Sequence, residues 1–235
     1  MNLLEAKNIT KRYGHIVALD DLSLDIPENM ILGLIGPNGS GKTTFIDLVT
    51  GLTNLDDGDL FLNGERINGC HPEEISRLGV ARTFQETRVF RNMTVIENLL
   101  VASRNPNRRE STEKARGLLE DVGLLHLSDR YSGSLSFGQQ KLLEFARVLM
   151  LDPTLILLDE PTAGIDPLFI DQLLKWFQTL RHEGKTLVII EHNIEVINAI
   201  CERVIVLHAG HKIAEGSPAE IGHDRAVQDA YLGSV

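Results

Sequence analysis

Three short stretches of the chain are almost continuously apolar, and they predict strands that are buried on both faces. They run from Ile31 to Ile35, from Leu155 to Leu158 and from Thr186 to Ile190. A strand with one solvated face alternates between apolar and polar residues, whereas a strand covered on both faces does not. Each stretch leads into a loop and then into a helical pattern. We therefore expect a parallel α/β sheet in which helices connect the strands.

The beginning of the chain has a different pattern, which predicts an antiparallel sheet. Segments 3–6 and 16–26 read as strands separated by polar turns. Further on, Asn63-Gly64 separates the strand-like segments 60–62 and 65–67. Asn-Gly between two such segments is a strong hairpin signal, because both residues tolerate the left-handed backbone conformation of a tight turn.

Residues 86–152 contain no comparable strand pattern and predict helices. Two sets of apolar residues have helical spacing: Ala115, Leu118, Leu119 and Val122, and Leu142, Ala146, Leu149 and Met150. We expect Asp152-Pro153 to stop the second helix and the polar segment 103–111 to be a surface loop. The chain 1–235 reads as a single α/β domain that carries an antiparallel arm and a helical insert.

The net charge and the two cysteines indicate which kinds of binding partner and which cellular compartment to expect. The chain has 23 basic and 33 acidic residues and a formal net charge of −10, which disfavours binding to nucleic acid or to an anionic membrane surface. Its two cysteines, Cys70 and Cys201, make neither a disulfide framework nor a zinc pattern, so reduced thiols and a cytosolic location are expected. The apolar runs fall far short of the roughly 20 residues of a membrane span. Any membrane role is therefore expected to come through a partner.

The first apolar run leads into a glycine-rich segment that predicts a phosphate-binding loop. Its residues are Gly36, Pro37, Asn38, Gly39, Ser40, Gly41, Lys42 and Thr43, which satisfy the pattern G-x-x-x-x-G-K-[ST]. Glycines allow backbone N–H groups to surround phosphate oxygens, and the N-terminus of the following helix favours an anion. We expect Lys42 to reach the β- and γ-phosphates and Thr43 to ligate Mg²⁺. We also expect the neighbouring Thr44 to bind the nucleotide.

The second apolar run ends in two carboxylates, Asp159 and Glu160. The carboxyl ends of parallel strands line the ligand crevice of an open α/β sheet. Asp159 is therefore placed to hold Mg²⁺, and Glu160 is placed to polarise an attacking water. The alternative is that the two acids are solvated charges that close the strand.

The segment from Ser136 to Gln139 is expected to open the second of the two helices. Ser136 followed by Gln139 is a capping-box pattern. Gly138 lowers helix stability in the first turn unless a ligand must approach the backbone there. Spacing alone leaves two interpretations open, a helix cap and a second phosphate contact.

The order of these motifs resembles that in the nucleotide-binding subunit of ABC transporters, over essentially the whole chain. That order is the phosphate loop, Gln85, Ser136-Phe137-Gly138-Gln139, Asp159-Glu160, Ala163-Gly164-Ile165-Asp166 and His192. The resemblance implies a P-loop NTPase core with a parallel sheet, an N-terminal antiparallel β subdomain and an inserted α-helical subdomain at about 86–152. It also implies that the chain binds and hydrolyses ATP with Mg²⁺.

The resemblance assigns roles to residues that spacing alone does not. Gln85 corresponds to the glutamine that contacts Mg²⁺ or water, His192 to the histidine at the γ-phosphate, and Tyr13 to the aromatic that stacks on adenine. Asp166 would lie at an interface between two subunits. Alternatively, Gln85 is a surface amide and His192 is a loop histidine. Tyr13 is then a packed aromatic residue, and Asp166 belongs to a simple turn. Ser136 to Gln139 correspond to the signature that contacts the opposite subunit's ATP, with Phe137 where the family usually has glycine.

Two further segments, 79–85 and 90–100, are similar to the ATPases of branched-chain amino-acid and urea importers, as are Phe137 and the ending 229–233. This similarity implies integral-membrane permease partners, a second identical or different ATP-binding subunit and, indirectly, an extracytoplasmic solute-binding protein. The chain would then be peripheral on the inner face of the cell membrane, with segment 86–93 at the permease contact.

Three alternatives remain. An ATPase for lipid or lipopolysaccharide export is disfavoured by segment 81–85 and by Phe137. A soluble ABC protein of translation or DNA repair usually has two modules or a long coiled coil, and this chain has neither pattern. A small-molecule kinase would leave Ser136 to Gln139 without a role.

Overall fold

The computed structural model describes residues 1–83 and 87–232, and these residues form two sheets surrounded by helices. The strands are β1 (Asn2–Tyr13), β2 (Ile16–Pro27), β3 (Ile31–Ile35), β4 (Asp57–Leu62), β5 (Glu65–Arg66), β6 (Val80–Arg82), β7 (Leu155–Asp159), β8 (Thr186–Ile190), β9 (Arg203–His208) and β10 (His211–Gly216). The helices are α1 (Lys42–Val49), α2 (Pro72–Arg77), α3 (Val95–Leu100), α4 (Arg108–Asp121), α5 (Phe137–Leu149), α6 (Pro167–His182), α7 (Ile194–Ile200), α8 (Pro218–His223) and α9 (Arg225–Leu232). Short 3₁₀ turns cover Leu125–Leu127 and Ser132–Ser134.

The larger sheet has the strand order β10-β9-β3-β8-β7-β6. Its five strands from β9 to β6 are parallel, and β10 is antiparallel to β9. Strands β3, β7 and β8 are buried at every position, which confirms the three strands predicted from continuous apolar runs. Because β8 lies between β3 and β7, the carboxyl ends of these three strands meet at one edge of the sheet.

The smaller sheet is antiparallel, as predicted, and has the order β2-β1-β4-β5. The predicted hairpin joins β4 to β5, with φ values of 51° at Asn63 and 78° at Gly64. Helix α1 is packed in the core that both sheets share, where Phe45 and Ile46 contact the same apolar cluster as Leu4 and Leu34. This packing fixes the helix that follows the glycine-rich loop.

Helices α3, α4 and α5 lie between β6 and β7 in the chain. The two helical patterns in the sequence predict α4 and α5 but not α3. The surface-loop prediction for 103–111 is wrong for its last four residues, because α4 begins at Arg108. The side chain of Asn107 caps that helix by accepting hydrogen bonds from the backbone N–H groups of Arg109 (3.1 Å) and Glu110 (3.4 Å). Within the described residues, no helix has both the length and the apolar character of a bilayer span.

Candidate functional site

The glycine-rich loop runs from the end of β3 to the start of α1, and its shape depends on glycine at two positions. Gly36 has φ 150° and Gly41 has φ 107°. A Cβ atom at Gly36 would lie 2.0 Å from the carbonyl oxygen of Leu207, and one at Gly41 would lie 2.7 Å from that of Ala18. Backbone from β9 and β2 therefore approaches the loop so closely that only glycine fits.

Substitution of Gly36 by alanine is expected to destabilise the protein more than the same change at Gly39. Gly39 also has positive φ (77°), but a Cβ atom there would meet nothing within 4 Å. Gly39→Ala should therefore lower the free energy of unfolding by about 1–2 kcal/mol, the penalty for a left-handed backbone alone. Gly36→Ala should lower the free energy of unfolding by about 1–3 kcal/mol more than Gly39→Ala, because the backbone carbonyl of Leu207 must move. Urea denaturation measures both. Equal loss in the two variants would contradict the close approach of Leu207.

Lys42 is the first residue of α1, and its ammonium group folds back over the loop. Its Nζ donates hydrogen bonds to the carbonyl oxygens of Gly36 (2.8 Å) and Pro37 (2.9 Å) and to Ser40 Oγ (3.3 Å). Burial lowers the pKa of Lys42, and the carboxylates of Asp159 and Glu160 oppose that shift. The loop therefore holds a buried cation that faces two acids. Thr43 is exposed beside it, and Thr44 is half-buried.

Asp159 ends β7 and is almost completely buried. Burial raises the pKa of Asp159, and the guanidinium of Arg82 opposes this shift. Arg82 is itself paired with Asp47 of α1 at 2.5 Å. The backbone N–H of Asp159 donates to Thr83 Oγ1 at 3.4 Å. The carboxylate thus occupies a confined position at the sheet edge, close to the charge of Lys42.

Glu160 and His192, both predicted from the sequence to act at the γ-phosphate, contact each other. Glu160 Oε1 lies 3.2 Å from His192 Nε2. The contact follows from the sheet, because Glu160 comes directly after β7 and His192 comes shortly after the neighbouring β8. The backbone N–H of Glu160 donates to Ile190 O at 2.9 Å, and Glu160 has the unusual φ of 49°. The chain turns sharply here, so that the carboxylate reaches the histidine.

The signature segment forms a second group of predicted residues, together with the loop that ends at Asp166. Ser136 caps α5 with the predicted capping box: its Oγ accepts from Gln139 N (3.3 Å), and Gln139 Oε1 accepts from Ser136 N (3.0 Å). A cleft of about 790 Å³ is lined by residues that include Ser136, Gly138 and Asp166. The carbonyl oxygen of Asp166 accepts from Phe169 N at 2.8 Å in the first turn of α6.

Phe137 packs on the loop glycine Gly164. A Cβ atom at Gly164 would lie 2.4 Å from Phe137 Cε1, and Gly164 has φ 74°. The ring therefore occupies the space that a side chain at residue 164 would need. About half of the Phe137 surface remains exposed. Gly164 thus leaves the space that the aromatic ring of Phe137 in the signature occupies.

Tyr13, unlike the residues above, makes its ring contact within its own strand. Tyr13 ends β1, is 47% exposed and has its ring 5.2 Å from Lys11 Nζ. Gln85 lies outside the described residues. Their assigned roles stay predictions from the sequence resemblance.

Two buried charged residues that the sequence analysis did not identify hold the turn after Glu160. Lys141 of α5 donates to the carbonyl oxygens of Glu160 and Ala163, the second at 3.0 Å. Glu191 Oε1 accepts from the backbone N–H (2.8 Å) and the Oγ1 (2.6 Å) of Thr162. Glu191 follows a buried strand directly, as Glu160 does, and the same rule would have indicated it. Lys141 carries no such signal.

Comparison with known families and structures identifies the fold. Residues 19–163 match the model of the family described as ABC transporter, and residues 211–235 match that described as branched-chain amino acid ATP-binding cassette transporter. A crystal structure of an ATP-binding cassette of an ABC transporter in its ADP conformation is 34% identical to this chain, with a TM-score of 0.91 and complete coverage of both chains. A dimeric cassette bound to ADP and Pi is 27% identical, has a TM-score of 0.82 and covers 92% of this chain and 98% of that one.

Two curated relatives extend over nearly the whole chain. The high-affinity branched-chain amino acid transport ATP-binding protein BraF of Pseudomonas aeruginosa is 37% identical and is matched over 99% of this chain and 98% of its own length. The lipopolysaccharide export system ATP-binding protein LptB of Haemophilus influenzae is 36% identical over the same shares. The chain therefore belongs to the ABC transporter family as an ATP-binding subunit, an ATP hydrolase coupled to transport across a membrane.

Proposed function

We propose that ATP hydrolysis by this subunit powers the import of a small polar solute such as a branched-chain amino acid or urea. The observation that carries this proposal is the match of residues 211–235 to the branched-chain amino acid cassette model. The name of the Pseudomonas relative supports the amino-acid substrate. Urea rests only on the sequence resemblance.

In the proposed reaction, Lys42 exchanges its loop carbonyls for phosphate oxygens. The loop N–H groups and the start of α1 add favourable contacts for the anion. Glu160 polarises the attacking water and takes its proton, and His192, 3.2 Å from the Glu160 carboxylate, orients that carboxylate and contacts the γ-phosphate. Phosphoryl transfer depends mainly on such positioning, because the protein contributes little covalent chemistry. Tyr13 would stack on the adenine ring.

The donor set near the loop fits Mg²⁺. Among residues 1–83 and 87–232, no three His, Cys, Asp or Glu side chains converge as a metal site. Magnesium in nucleotide sites is typically held by one or two protein oxygens together with phosphates and water. The hydroxyl of Thr43 and the carboxylate of Asp159 would supply those oxygens, with Gln85 as a further contact. When bound, the ion neutralises charge that develops on the phosphates.

We further propose that chain 1–235 is a single ABC ATP-binding domain that works as a pair of subunits packed head to tail. Ser136 and Gly138 of one subunit would contact the ATP that the other subunit holds, and Asp166 would lie at the contact. The dimeric cassette among the similar structures supports pairing. The second subunit is either identical to this one or a different ATP-binding subunit. Permease subunits would hold the pair on the inner face of the cell membrane, with an extracytoplasmic protein delivering the solute.

Segment 86–93 is the proposed contact with the permease, and its described part is suited to that role. Buried Asn98 fixes its backbone, accepting a hydrogen bond from Phe90 N (2.8 Å) and donating one to Phe90 O (3.2 Å). The side chains of Phe90 and Arg91 are exposed. A rigid backbone thus presents an aromatic ring and a cation to a partner.

Charge reversal at Arg91 is therefore expected to weaken association with the permease and to leave ATP binding unchanged. Arg66→Glu is a matched control, because Arg66 is an exposed arginine on the antiparallel sheet whose ion pair with Asp59 contributes little to stability. Copurification of membrane subunits with each tagged variant measures the effect. Equal recovery of permease with Arg91→Glu and with the wild type would place the contact elsewhere.

Mass spectrometry of the subunits that copurify with the tagged wild-type chain from membranes tests the proposal as a whole. We expect integral-membrane permeases and a second ATP-binding subunit. A complex without any membrane-spanning subunit would contradict it.

Export of a lipid or lipopolysaccharide is the second candidate, supported by the Haemophilus relative. Permeases whose complex moves lipid and no amino acid would favour that candidate.

A further inference from the structure

The turn that follows Glu160 is held from two sides by buried charges of opposite sign. Lys141 is 1% exposed and Glu191 is 5% exposed. Lys141 comes from α5, the helix that the signature opens, whereas Glu191 comes directly before His192. A buried charge is costly unless it is paired and hydrogen-bonded, so these two groups need a specific reason to be placed here.

The backbone contacts of the two charges divide the turn between them. Lys141 donates hydrogen bonds to the carbonyl oxygens of Glu160 and Ala163. Glu191 accepts hydrogen bonds from the N–H and the hydroxyl of Thr162. The carbonyl oxygen of Glu160 also accepts from Ala163 N at 3.2 Å. Every residue from 160 to 163 except Pro161 is therefore bound through its main chain or side chain to one of the two charges.

Glu160 itself needs such support. Its φ of 49° lies in the left-handed region. For any residue other than glycine, this conformation is higher in free energy than the usual ones. A residue in this conformation keeps it only where the surroundings determine it. The direction of the Glu160 carboxylate follows from this backbone conformation, and so does its 3.2 Å contact with His192.

We propose that Lys141 is a positioning residue that ties the signature helix to Glu160, with Glu191 as its balancing charge. The proposal rests on the catalytic role proposed for Glu160. Lys141 is the fifth residue of the helix that Ser136 caps. A displacement of α5 therefore moves the ammonium and, through it, the backbone of Glu160. Because the signature would contact the opposite subunit's ATP, Lys141 links that contact to hydrolysis at the chain's own site.

The test removes both charges together, since removal of one would leave the other buried and unbalanced. In Lys141→Met/Glu191→Gln, methionine keeps much of the lysine volume, and the glutamine Oε1 can still accept from Thr162. We expect kcat to fall about 10- to 100-fold, the effect of a misplaced catalytic group. The Kd for ATP should be unchanged, because the phosphate loop is intact, and the melting temperature reports whether the paired variant folds. Lys141→Arg keeps the charge and donors and should recover part of the loss.

A matched control is Lys114→Met. Lys114 also donates to a carbonyl oxygen, that of Met150 (3.4 Å), but it is exposed on α4 and lies outside the Glu160 turn. Its replacement should leave kcat unchanged. A paired variant that folds and has wild-type kcat would overturn the proposal, as would Lys141→Arg with no recovery relative to Lys141→Met/Glu191→Gln.

A double-mutant cycle with Glu160→Gln separates this proposal from the proposed function. Single-turnover hydrolysis is measured with the full chain in excess over ATP. If Lys141 acts through Glu160, the paired change causes little further loss in the Glu160→Gln background. The same 10- to 100-fold loss in both backgrounds would overturn the positioning role and leave Glu160 as the base. Wild-type hydrolysis by Glu160→Gln alone would instead refute the proposed role of Glu160.

Discussion

Glu160→Gln is expected to lower ATP hydrolysis by about 10²–10⁴-fold, the usual contribution of a positioned general base. Glutamine keeps the shape of the side chain and can still contact His192, but it has no negative charge and cannot take a proton from water. ATP binding should survive, because Lys42, Thr43 and the loop N–H groups are unchanged. Steady-state phosphate release and equilibrium ATP binding measure the two effects separately. A Glu160→Gln protein that hydrolyses ATP at the wild-type rate would refute the catalytic assignment.

The same variant is expected to accumulate as an ATP-bound dimer. Loss of hydrolysis keeps the nucleotide in place, and loss of a negative charge near the γ-phosphate reduces repulsion between subunits. Size-exclusion chromatography at millimolar ATP and high protein concentration should show the dimer with ATP and not with ADP. Ser136→Trp in the Glu160→Gln background should prevent it, because the bulky ring would occupy the signature contact. An inactive variant that stays monomeric with ATP would refute homodimer formation and leave the catalytic assignment standing.

Lys42→Ala is expected to remove most ATP binding, and with it hydrolysis. Lys42 is the cation that the phosphate loop holds through Gly36 and Pro37, and hydrogen bonds to charged groups contribute about 1.5–3 kcal/mol each. Loss of more than one phosphate contact should therefore weaken ATP affinity by 100-fold or more. Calorimetric titration with ATP measures this, and the melting temperature without nucleotide reports whether the fold is intact.

Lys7→Ala is a control for the loss of a lysine, because Lys7 lies on β1 and pairs with Glu5 at 2.8 Å. It should bind ATP through an intact phosphate loop. Near-normal turnover by a folded Lys42→Ala protein would remove the loop lysine from the mechanism.

The parts of the fold that sequence predicts best are those with a strong local signal. Continuous apolar runs predict β3, β7 and β8, and Asn63-Gly64 predicts the β4–β5 hairpin. Strand β6 escapes prediction because it has only three residues and is stabilised by pairing with β7. Strand β9 contains the run Val204–Leu207, which is as long as the run in β7, so its pattern was sufficient to predict it.

The candidate site is predictable where chemistry follows a strand end. Asp159, Glu160 and His192 come at or shortly after the carboxyl ends of β7 and β8, and the sheet brings them to one edge. Lys141 could not be predicted in this way. A lysine three residues before Glu144 on a helix is typical of an exposed ion pair. Its burial arises only because α5 packs against the turn after β7, a tertiary contact that helical periodicity does not encode.

If ATP turnover at Glu160 drives uptake of a small solute, that uptake must depend on the Glu160 carboxylate. The most direct test reconstitutes the membrane complex, purified through a tag on this chain, into liposomes with ATP on the side of the ATP-binding subunit. Uptake of radiolabelled leucine is then compared between wild type and Glu160→Gln. We predict ATP-dependent accumulation with the wild type and accumulation at the level of ATP-free liposomes with the variant. Equal ATP-dependent accumulation by both complexes would contradict the claim.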